Sequence, residues 1–206
     1  MLRLGRRALY RITEAFTLRN LRRRGVTLGR NVRLHGAPIC TLVGETNISL
    51  GDNVVLASRA SSTALGVSQP VILRTLVEGA AITIGENTGL SGAVICAASR
   101  VSIGARVLIG SGVMIVDTDF HPLDMLPRRS APAPVPTIAD SVIVEDDVFI
   151  GARSIILKGS HIGRGSVIGA GSIVSGIIPE GVVAAGNPAK IIRPLRTGDS
   201  VDARSN

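Results

Sequence analysis

Apolar residues and glycines recur every six positions along most of this chain. An aliphatic residue returns at every sixth position from Val144 to Val174, and shorter runs with the same spacing begin at Leu28, Leu50, Ile84 and Ile103. A period of six fits neither the 3.6-residue period of a helix nor the alternation of a flat strand. It predicts an all-β, parallel β-helix, in which each unit is one short strand and one corner and stacked coils share a core. An aliphatic sandwich is the alternative, but sandwich strands are not evenly spaced.

The residues around each repeated aliphatic position agree with a narrow coil. A serine often precedes the aliphatic residue by two positions, and Gly-Asp-Asn or Gly-Glu-Asn often follows it, as at 51–53 and 85–87. Glycine and asparagine suit the backbone angles of tight corners. The chain has no Trp, one Tyr and three Phe, which a core of stacked aliphatics allows. Cys96 falls on a repeat position, so we expect a buried apolar filler there rather than half of a disulfide with Cys40.

Interruptions of the spacing divide the chain. We expect an N-terminal helix over residues 1–25, a β-helix domain over 26–195 and a polar C-terminal tail over 196–206. Within the domain, the phase is lost over residues 57–80 and again over a polar loop at 117–136. Insertions of this kind project from a solenoid and commonly carry its function.

The positive charge is concentrated at the N-terminus. Residues 1–24 hold eight arginines and one acid, a net charge of +7 out of +8 for the whole chain. The nearly neutral coil without stacking aromatics argues against nucleic-acid binding. One face of the predicted helix carries Leu2, Leu9, Ile12 and Phe16, so the helix either caps the first coil or lies on anionic lipid, and both can hold.

No apolar run suits a signal peptide or a membrane span. We therefore expect a cytoplasmic protein, with a peripheral place at the inner face of the membrane if the helix binds lipid.

The polar loop carries the sharpest candidate chemistry. Asp117, Asp119 and Asp124 surround His121, the only histidine at a junction between coil and loop. Carboxylates can fix the tautomer of a histidine and raise its basicity, which suits a general base. A solvated turn with a surface histidine is the alternative interpretation.

Two segments carry a resemblance to a known family. The segment Asp-Phe-His-Pro-Leu-Asp at 119–124 and the segment Ala-Gly-Asn-Pro-Ala-Lys at 185–190, set among the hexapeptide coils, resemble the left-handed β-helix acyltransferases. The nearest branch holds the maltose and galactoside acetyltransferases and the acetyltransferases of exopolysaccharide synthesis. The resemblance covers residues 26–195. It implies a left-handed coil, a homotrimer, and transfer of an acetyl group from acetyl-CoA to a hydroxyl of a sugar or glycan without a covalent intermediate.

The resemblance also assigns residues. His121 matches the catalytic general base, and Asp119 is our candidate for orienting it; Ser91 and Asp117 are the candidate acceptor-binding residues. The backbone near Ala152 and Ala170 matches the place where the pantetheine arm lies against the coil, and Ser175 matches a polar contact beyond it. Lys190 and Arg193 match the positions that meet the nucleotide phosphates, the alternative being a solvated basic exit from the coil.

The chain also departs from the branch. Ser91 stands where an asparagine is usual, Ala98 where a carboxylate is usual, and Gly176 where many members have lysine. The changes at Ser91 and Ala98 argue against a simple maltose or galactoside acceptor and favour a glycan intermediate or a nucleotide- or lipid-linked sugar. The change at Gly176 removes one phosphate contact that the resemblance would imply.

Two other classes share the coil. A γ-class carbonic anhydrase needs three zinc-binding histidines, but His35 and His161 have no paired spacing with His121, so we expect no metal. A non-catalytic scaffold would need neither the His121 loop nor the segment at 186–190.

Overall fold

The protein is a three-sided prism of short strands with one helix at its N-terminal end. The structure, a computed structural model, describes residues 2–124, 126–127, 129–132 and 134–195, and for residues 2–10 it describes the backbone alone. The predicted tail at 196–206 lies outside the described residues. Helix α1 spans Leu2–Arg23, and the first strand begins at Val26. None of the helices in these ranges combines the length and hydropathy needed to cross a bilayer.

Strands are numbered in chain order, and successive turns of the chain add one strand to each of three sheets. The first sheet contains, in spatial order, β1 (Val26–Leu28), β4 (Asn47–Leu50), β7 (Ala81–Ile84), β10 (Arg100–Ile103), β13 (Val142–Val144), β16 (His161–Ile162) and β19 (Ile177–Ile178). The second contains β2 (Arg33–His35), β5 (Val55–Ala57), β8 (Gly89–Ser91), β11 (Leu108–Ile109), β14 (Phe149–Ile150), β17 (Val167–Ile168), β20 (Val182–Gly186) and β21 (Ala189–Pro194). The third contains β3 (Ile39–Thr41), β6 (Ile72–Thr75), β9 (Val94–Ala97), β12 (Met114–Val116), β15 (Ile155–Ile156) and β18 (Ile173–Val174).

The pairing is that of a parallel β-helix. Neighbouring strands within each sheet are parallel, except that β21 folds back antiparallel onto β20. The aliphatic residues at the six-residue spacing fill the core: Ile150, Ile156, Ile162 and Ile168 have no exposed surface. The preceding serines are also buried, and their hydroxyls donate to main-chain carbonyls, as Ser166 does to Pro179 at 2.6 Å. The predicted fold class is confirmed.

The six-residue spacing places Cys96 at an inward position of the coil, and this placement is wrong. Ile95, not Cys96, stacks between Leu73 and Ile115 in the third sheet. The corner after Leu90 is one residue shorter than the spacing implies, so the inward position moves back by one. Cys96 is nevertheless buried, with 8% of its surface exposed, and its thiol is free.

Two excursions leave the coil. The first excursion contains fewer residues than the interruption at 57–80 predicts, because β6 already returns to the third sheet at Ile72. Residues 58–71 therefore form the projecting part, with a 3₁₀ turn at Ala60–Ser62. The second excursion runs from the end of β12 to the start of β13 and ends in a 3₁₀ turn at Ile138–Asp140.

Candidate active site

The loop that carries His121 leaves the prism where the chain passes from the third sheet to the first. We call this corner the loop edge; it also holds Lys158 and Ser175, which follow β15 and β18 in register with β12. The backbone N–H of His121 donates to the carbonyl of Asp119 at 2.7 Å, and Phe120 between them has a left-handed φ of 61°. This tight turn leaves the His121 side chain exposed.

Asp117 anchors the start of the loop. Its two carboxylate oxygens accept the backbone N–H groups of Ala98 at 2.6 Å and Ser99 at 2.7 Å, and the residue is 1% exposed. Burial raises the pKa of Asp117 above its ordinary value, although these N–H groups pull the pKa down. Both carboxylate oxygens of Asp117 are therefore already used to hold this corner. The expected contact of Asp117 with the acceptor stays a prediction.

Asp119 is engaged by a lysine that sequence reasoning missed. Lys158 Nζ lies 2.6 Å from Asp119 Oδ2 and 3.6 Å from Asp140 Oδ1, so one ammonium group contacts both ends of the loop. The hydrogen bond with Asp119 raises the pKa of Lys158. The orienting role predicted for Asp119 stays a prediction; in the described part of the chain, its carboxylate contacts Lys158 and no hydrogen bond joins it to the His121 ring.

Asp140 closes the other end of the loop through a capping box. The Asp140 carboxylate accepts the backbone N–H and the hydroxyl of Thr137, at 3.0 and 2.6 Å. The hydroxyl of Thr137 is the main cause of the lowered pKa of Asp140, and Lys158 adds to it. The Thr-x-x-Asp spacing was a sequence signal for this turn, whereas nothing in the sequence marked Lys158 as its partner.

A second group of predicted residues lies on another edge, where the chain passes from the second sheet to the third. We call it the alanine edge; it includes Ser91, Ala152 and Ala170. Main-chain hydrogen bonds join its corners from coil to coil, such as Gly171 N–H to the carbonyl of Ala152 at 2.9 Å. A Cβ atom on Gly151 would lie 2.5 Å from the backbone nitrogen of Ala170, so glycine allows the coils to approach this closely.

The basic residues of the last strand lie on the β20–β21 hairpin, with Lys190 nearer the alanine edge and Arg193 toward the other end of β20. Lys190 is paired with Ala185 across the β20–β21 hairpin, and Arg193 with Val183. Both side chains are exposed, and the Arg193 guanidinium donates to the carbonyl of Pro194 at 3.0 Å. In the described residues, neither forms an ion pair with a carboxylate.

Ser91 opens onto a cavity under the first excursion. The cavity has a volume of ≈ 330 Å³; the second sheet contributes Ser91, Leu108 and Phe149, and the excursion contributes Ser62 and Thr63. The Ser111 hydroxyl donates to the carbonyl of Gly66 at 2.6 Å and fastens the excursion to this edge. A polar and apolar lining of this size suits a small organic ligand.

Within one chain the structure separates the predicted residues into two sets. Asp117, Asp119, His121 and Ser175 lie on the loop edge; Ser91, Ala152, Ala170 and the Lys190 hairpin lie at or beside the alanine edge. The third sheet separates the two edges. Across residues 2–195, apart from the gaps named above, no cluster of three or more His, Cys, Asp or Glu could hold a metal ion. His161 instead contacts Glu145 at 2.7 Å on the first sheet.

Known proteins share the repeat and the fold. Residues 141–175 match the family described as the hexapeptide repeat of succinyl-transferase. The 2,3,4,5-tetrahydropyridine-2,6-dicarboxylate N-acetyltransferase of Staphylococcus aureus is 43% identical over 58 residues, which are 28% of this chain and 24% of that protein. The chain thus spans about a quarter of the length of the curated relatives it matches.

Solved structures extend the likeness along the chain. The hexapeptide-repeat acetyltransferase VCA0836 of Vibrio cholerae superposes with a TM-score of 0.57 and 25% identity, over 86% of this chain and 78% of that one. The galactoside acetyltransferase in complex with coenzyme A gives a TM-score of 0.50 and 34% identity, over 55% of each chain. The VCA0836 complex with acetyl coenzyme A gives a TM-score of 0.51 and 34% identity, over 56% of this chain and 61% of that one. The resemblance expected from the sequence is confirmed, and with it the left-handed winding of the coil.

Proposed function

We propose that this chain, a hexapeptide-repeat protein with the left-handed β-helix of the acyltransferases it resembles, transfers an acetyl group from acetyl-CoA to a hydroxyl of a sugar or glycan intermediate. The observation that carries the proposal is the exposed His121 on a loop whose two ends are tied by Lys158. The relatives crystallised with coenzyme A or acetyl coenzyme A support the donor. A mobile histidine would be a poor base, because general-base catalysis needs the group held within hydrogen-bond reach of the proton it takes.

The proposed reaction is a direct transfer. The His121 ring takes the proton of the acceptor hydroxyl as that oxygen attacks the thioester carbonyl. The C–S bond then breaks, the acetyl ester is released, and the thiolate of CoA leaves and takes up a proton. Backbone N–H groups aimed at the carbonyl oxygen would stabilise the oxyanion that forms in between.

The donor side fits the alanine edge. A pantetheine arm can run along the small corners at Ala152 and Ala170, since neither residue carries a side chain beyond Cβ. Lys190 and Arg193 then offer cations to the phosphates at the end of the arm, and charge-assisted hydrogen bonds favour that contact. Ser175 lies on the loop edge, at the far end of β18 from Ala170.

The separation of the two edges supports the proposed homotrimer. The His121 loop of one copy and the alanine edge of the next can form one site only if two prisms lie side by side. Exposed apolar side chains on the outer sheet surfaces favour such contacts: Leu108 is 58% exposed, Phe149 44% and Met114 40%. Sedimentation equilibrium should give three times the chain mass, and a monomeric active enzyme would contradict this arrangement.

The acceptor is proposed to enter beside Ser91. A glycan hydroxyl there meets the Ser91 hydroxyl and the apolar surface of Phe149 in the ≈ 330 Å³ cavity. Because residues 58–71 roof this cavity, they would select an acceptor other than maltose or galactoside. Among the acceptor classes named above, a lipid-linked glycan would require the enzyme to act beside a membrane.

The test is acceptor-dependent release of free thiol from acetyl-CoA, with the product identified by mass. An O-acetyl ester is cleaved by hydroxylamine, whereas the amide made by an N-acetyltransferase survives, so the same sample separates the two chemistries. Release with a panel of glycan acceptors and a hydroxylamine-labile product supports the proposal. If no acceptor gives thiol release, a non-catalytic scaffold is favoured. If the product is a stable amide, the acetylated group of the acceptor is an amine and not a hydroxyl.

A further inference from the structure

We propose that helix α1 docks the protein peripherally on an anionic bilayer, with its outer face in the interface and a basic cleft beside it that accepts a lipid phosphate. This proposal is independent of acetyl transfer.

One side of the helix is already occupied by the coil. Leu21 is 3% exposed and belongs to the core, and Leu18 packs against the same cluster. The Glu14 carboxylate accepts the backbone N–H of Leu34 at 2.7 Å. The one acidic side chain of residues 1–24 therefore points to the protein, and the helix covers the first coil as the capping interpretation expected.

The opposite side of the helix is apolar and basic together. Ile12 is 66% exposed and Phe16 71%, and Arg19 and Arg23 continue the same stripe at spacings of three and four residues. A helix whose exposed stripe carries two large apolar side chains beside arginines is suited to the plane of a membrane interface. Phosphates of nucleic acid would engage the arginines but give no partner to Ile12 and Phe16, which is why a bilayer is the favoured partner.

A cleft beside the helix adds a place for a phosphate. It has a volume of ≈ 680 Å³ and lies between α1 and the second sheet, with Arg11 and Arg33 on its two walls and Asn31 and Asn53 nearby. The side chain of neither arginine forms a hydrogen bond or an ion pair with another residue that the structure describes. Two other arginines of the coil are paired with carboxylates: Arg30 with Asp52 at 2.6 Å and Arg106 with Asp147 at 2.6 Å.

The cleft is not purely cationic, since Glu14 also lines it. One Glu14 oxygen is held by the Leu34 N–H, so the carboxylate is fixed on the coil side. The two arginines outnumber it, and arginine binds phosphate oxygens through two parallel hydrogen bonds. Headgroup phosphates at the bilayer surface present that chemistry.

The experiment is co-sedimentation of the full chain with vesicles of phosphatidylcholine alone or mixed with phosphatidylglycerol. Truncation is unsuitable, because Leu21 is part of the core. The variants are Ile12→Ser with Phe16→Ser for the apolar stripe, and Arg11→Gln with Arg33→Gln for the cleft. Arg153→Gln with Arg164→Gln, a loss of two charges at exposed corners of distant coils, is the matched control.

We expect binding that needs phosphatidylglycerol and weakens as salt shortens the Debye length from about 10 Å at 0.1 M. The stripe variant and the cleft variant should each lower the partition coefficient at least about tenfold, while the control pair at Arg153 and Arg164 leaves it unchanged. Equal losses in the control and the cleft variant would reduce the effect to overall charge and overturn the proposal. Binding by wild type to neither kind of vesicle would overturn it too, as would a stripe variant that changes the oligomeric state and keeps lipid binding, because a second copy would then cover the helix.

Discussion

Lys158 Nζ lies 2.6 Å from Asp119 Oδ2, across the base of the loop that carries His121. Asp119 belongs to the start of the loop and Lys158 to the next coil, so the contact ties a projecting segment to the rigid body. The same ammonium group lies 3.6 Å from Asp140 at the end of the loop. We interpret Lys158 as a positioning residue, which acts on the reaction through the place it gives to His121.

Replacing Lys158 with Met should lower kcat while leaving the KM for acetyl-CoA nearly unchanged, because the loop loses its tie and the donor contacts on the other edge remain. The free energy of unfolding should change by less than about 1 kcal/mol, since the pair is partly exposed to solvent. Steady-state kinetics and urea unfolding measure the two effects. Lys158→Arg should restore most of the turnover, and a variant that loses stability in proportion to activity would reduce Lys158 to a structural role.

Replacing Lys190 and Arg193 with Ala should raise the KM for acetyl-CoA with little change in kcat, because these side chains would contact a part of the donor that does not react. A thioester of dephospho-CoA should lose less affinity than acetyl-CoA does. Initial rates with both donors provide the comparison. If both donors lose the same affinity, Lys190 and Arg193 do not bind the donor and are only solvated basic residues where the chain leaves the coil.

Replacing Asp117 with Asn should destabilise the fold by about 1–3 kcal/mol, because one backbone N–H at the Ala98–Ser99 corner would face an amide NH₂ instead of an acceptor. Burial raises the folded-state pKa of Asp117, so the folded chain binds this proton more tightly than the unfolded chain does. The stability that comes from this difference is present below the unfolded pKa and is lost as pH rises through the folded pKa. The penalty of the variant should therefore be larger in mildly acidic than in mildly alkaline buffer.

Urea unfolding at the two pH values checks this, with the exposed Asp124→Asn as the control. A penalty that grows with pH would mean that the N–H groups, rather than burial, dominate the environment of Asp117.

Replacing Gly151 with Ala should cost about 1–3 kcal/mol or more, because the added Cβ would lie 2.5 Å from the backbone nitrogen of Ala170 and the coils would have to separate. Gly89→Ala is the matched substitution, since nothing lies within 4 Å of its Cβ position and its φ is not left-handed. It should be neutral or slightly stabilising. Equal urea midpoints for the two variants would show that the alanine edge is not closely packed.

The repeat made the core predictable residue by residue. Ile150, Ile156, Ile162 and Ile168 are buried where the spacing places them, because each unit repeats the same strand and corner. The prediction failed by one residue at Cys96, where a shorter corner shifts the inward position to Ile95. A regular spacing carries no information about the length of a corner that interrupts it.

The loop chemistry was only half predictable. His121 and its neighbouring carboxylates could be found because they are close in sequence and interrupt the repeat. The partner of Asp119 could not, because Lys158 comes from the next coil and its sequence neighbourhood resembles that of other corners. The separation of Ser91 from His121 by the third sheet likewise becomes visible only when the coils are stacked.

We propose that His121 is the base of an acetyl transfer, and single-turnover kinetics of His121→Ala provide the sharpest test. We expect the rate of ester formation to fall by about 10²–10⁴, the range for a lost general base, while binding of acetyl-CoA in a calorimeter stays unchanged. His161→Gln, which removes a histidine on the first sheet, should keep the wild-type rate. A His121→Ala enzyme that forms ester at nearly the wild-type rate would show that His121 is not the base.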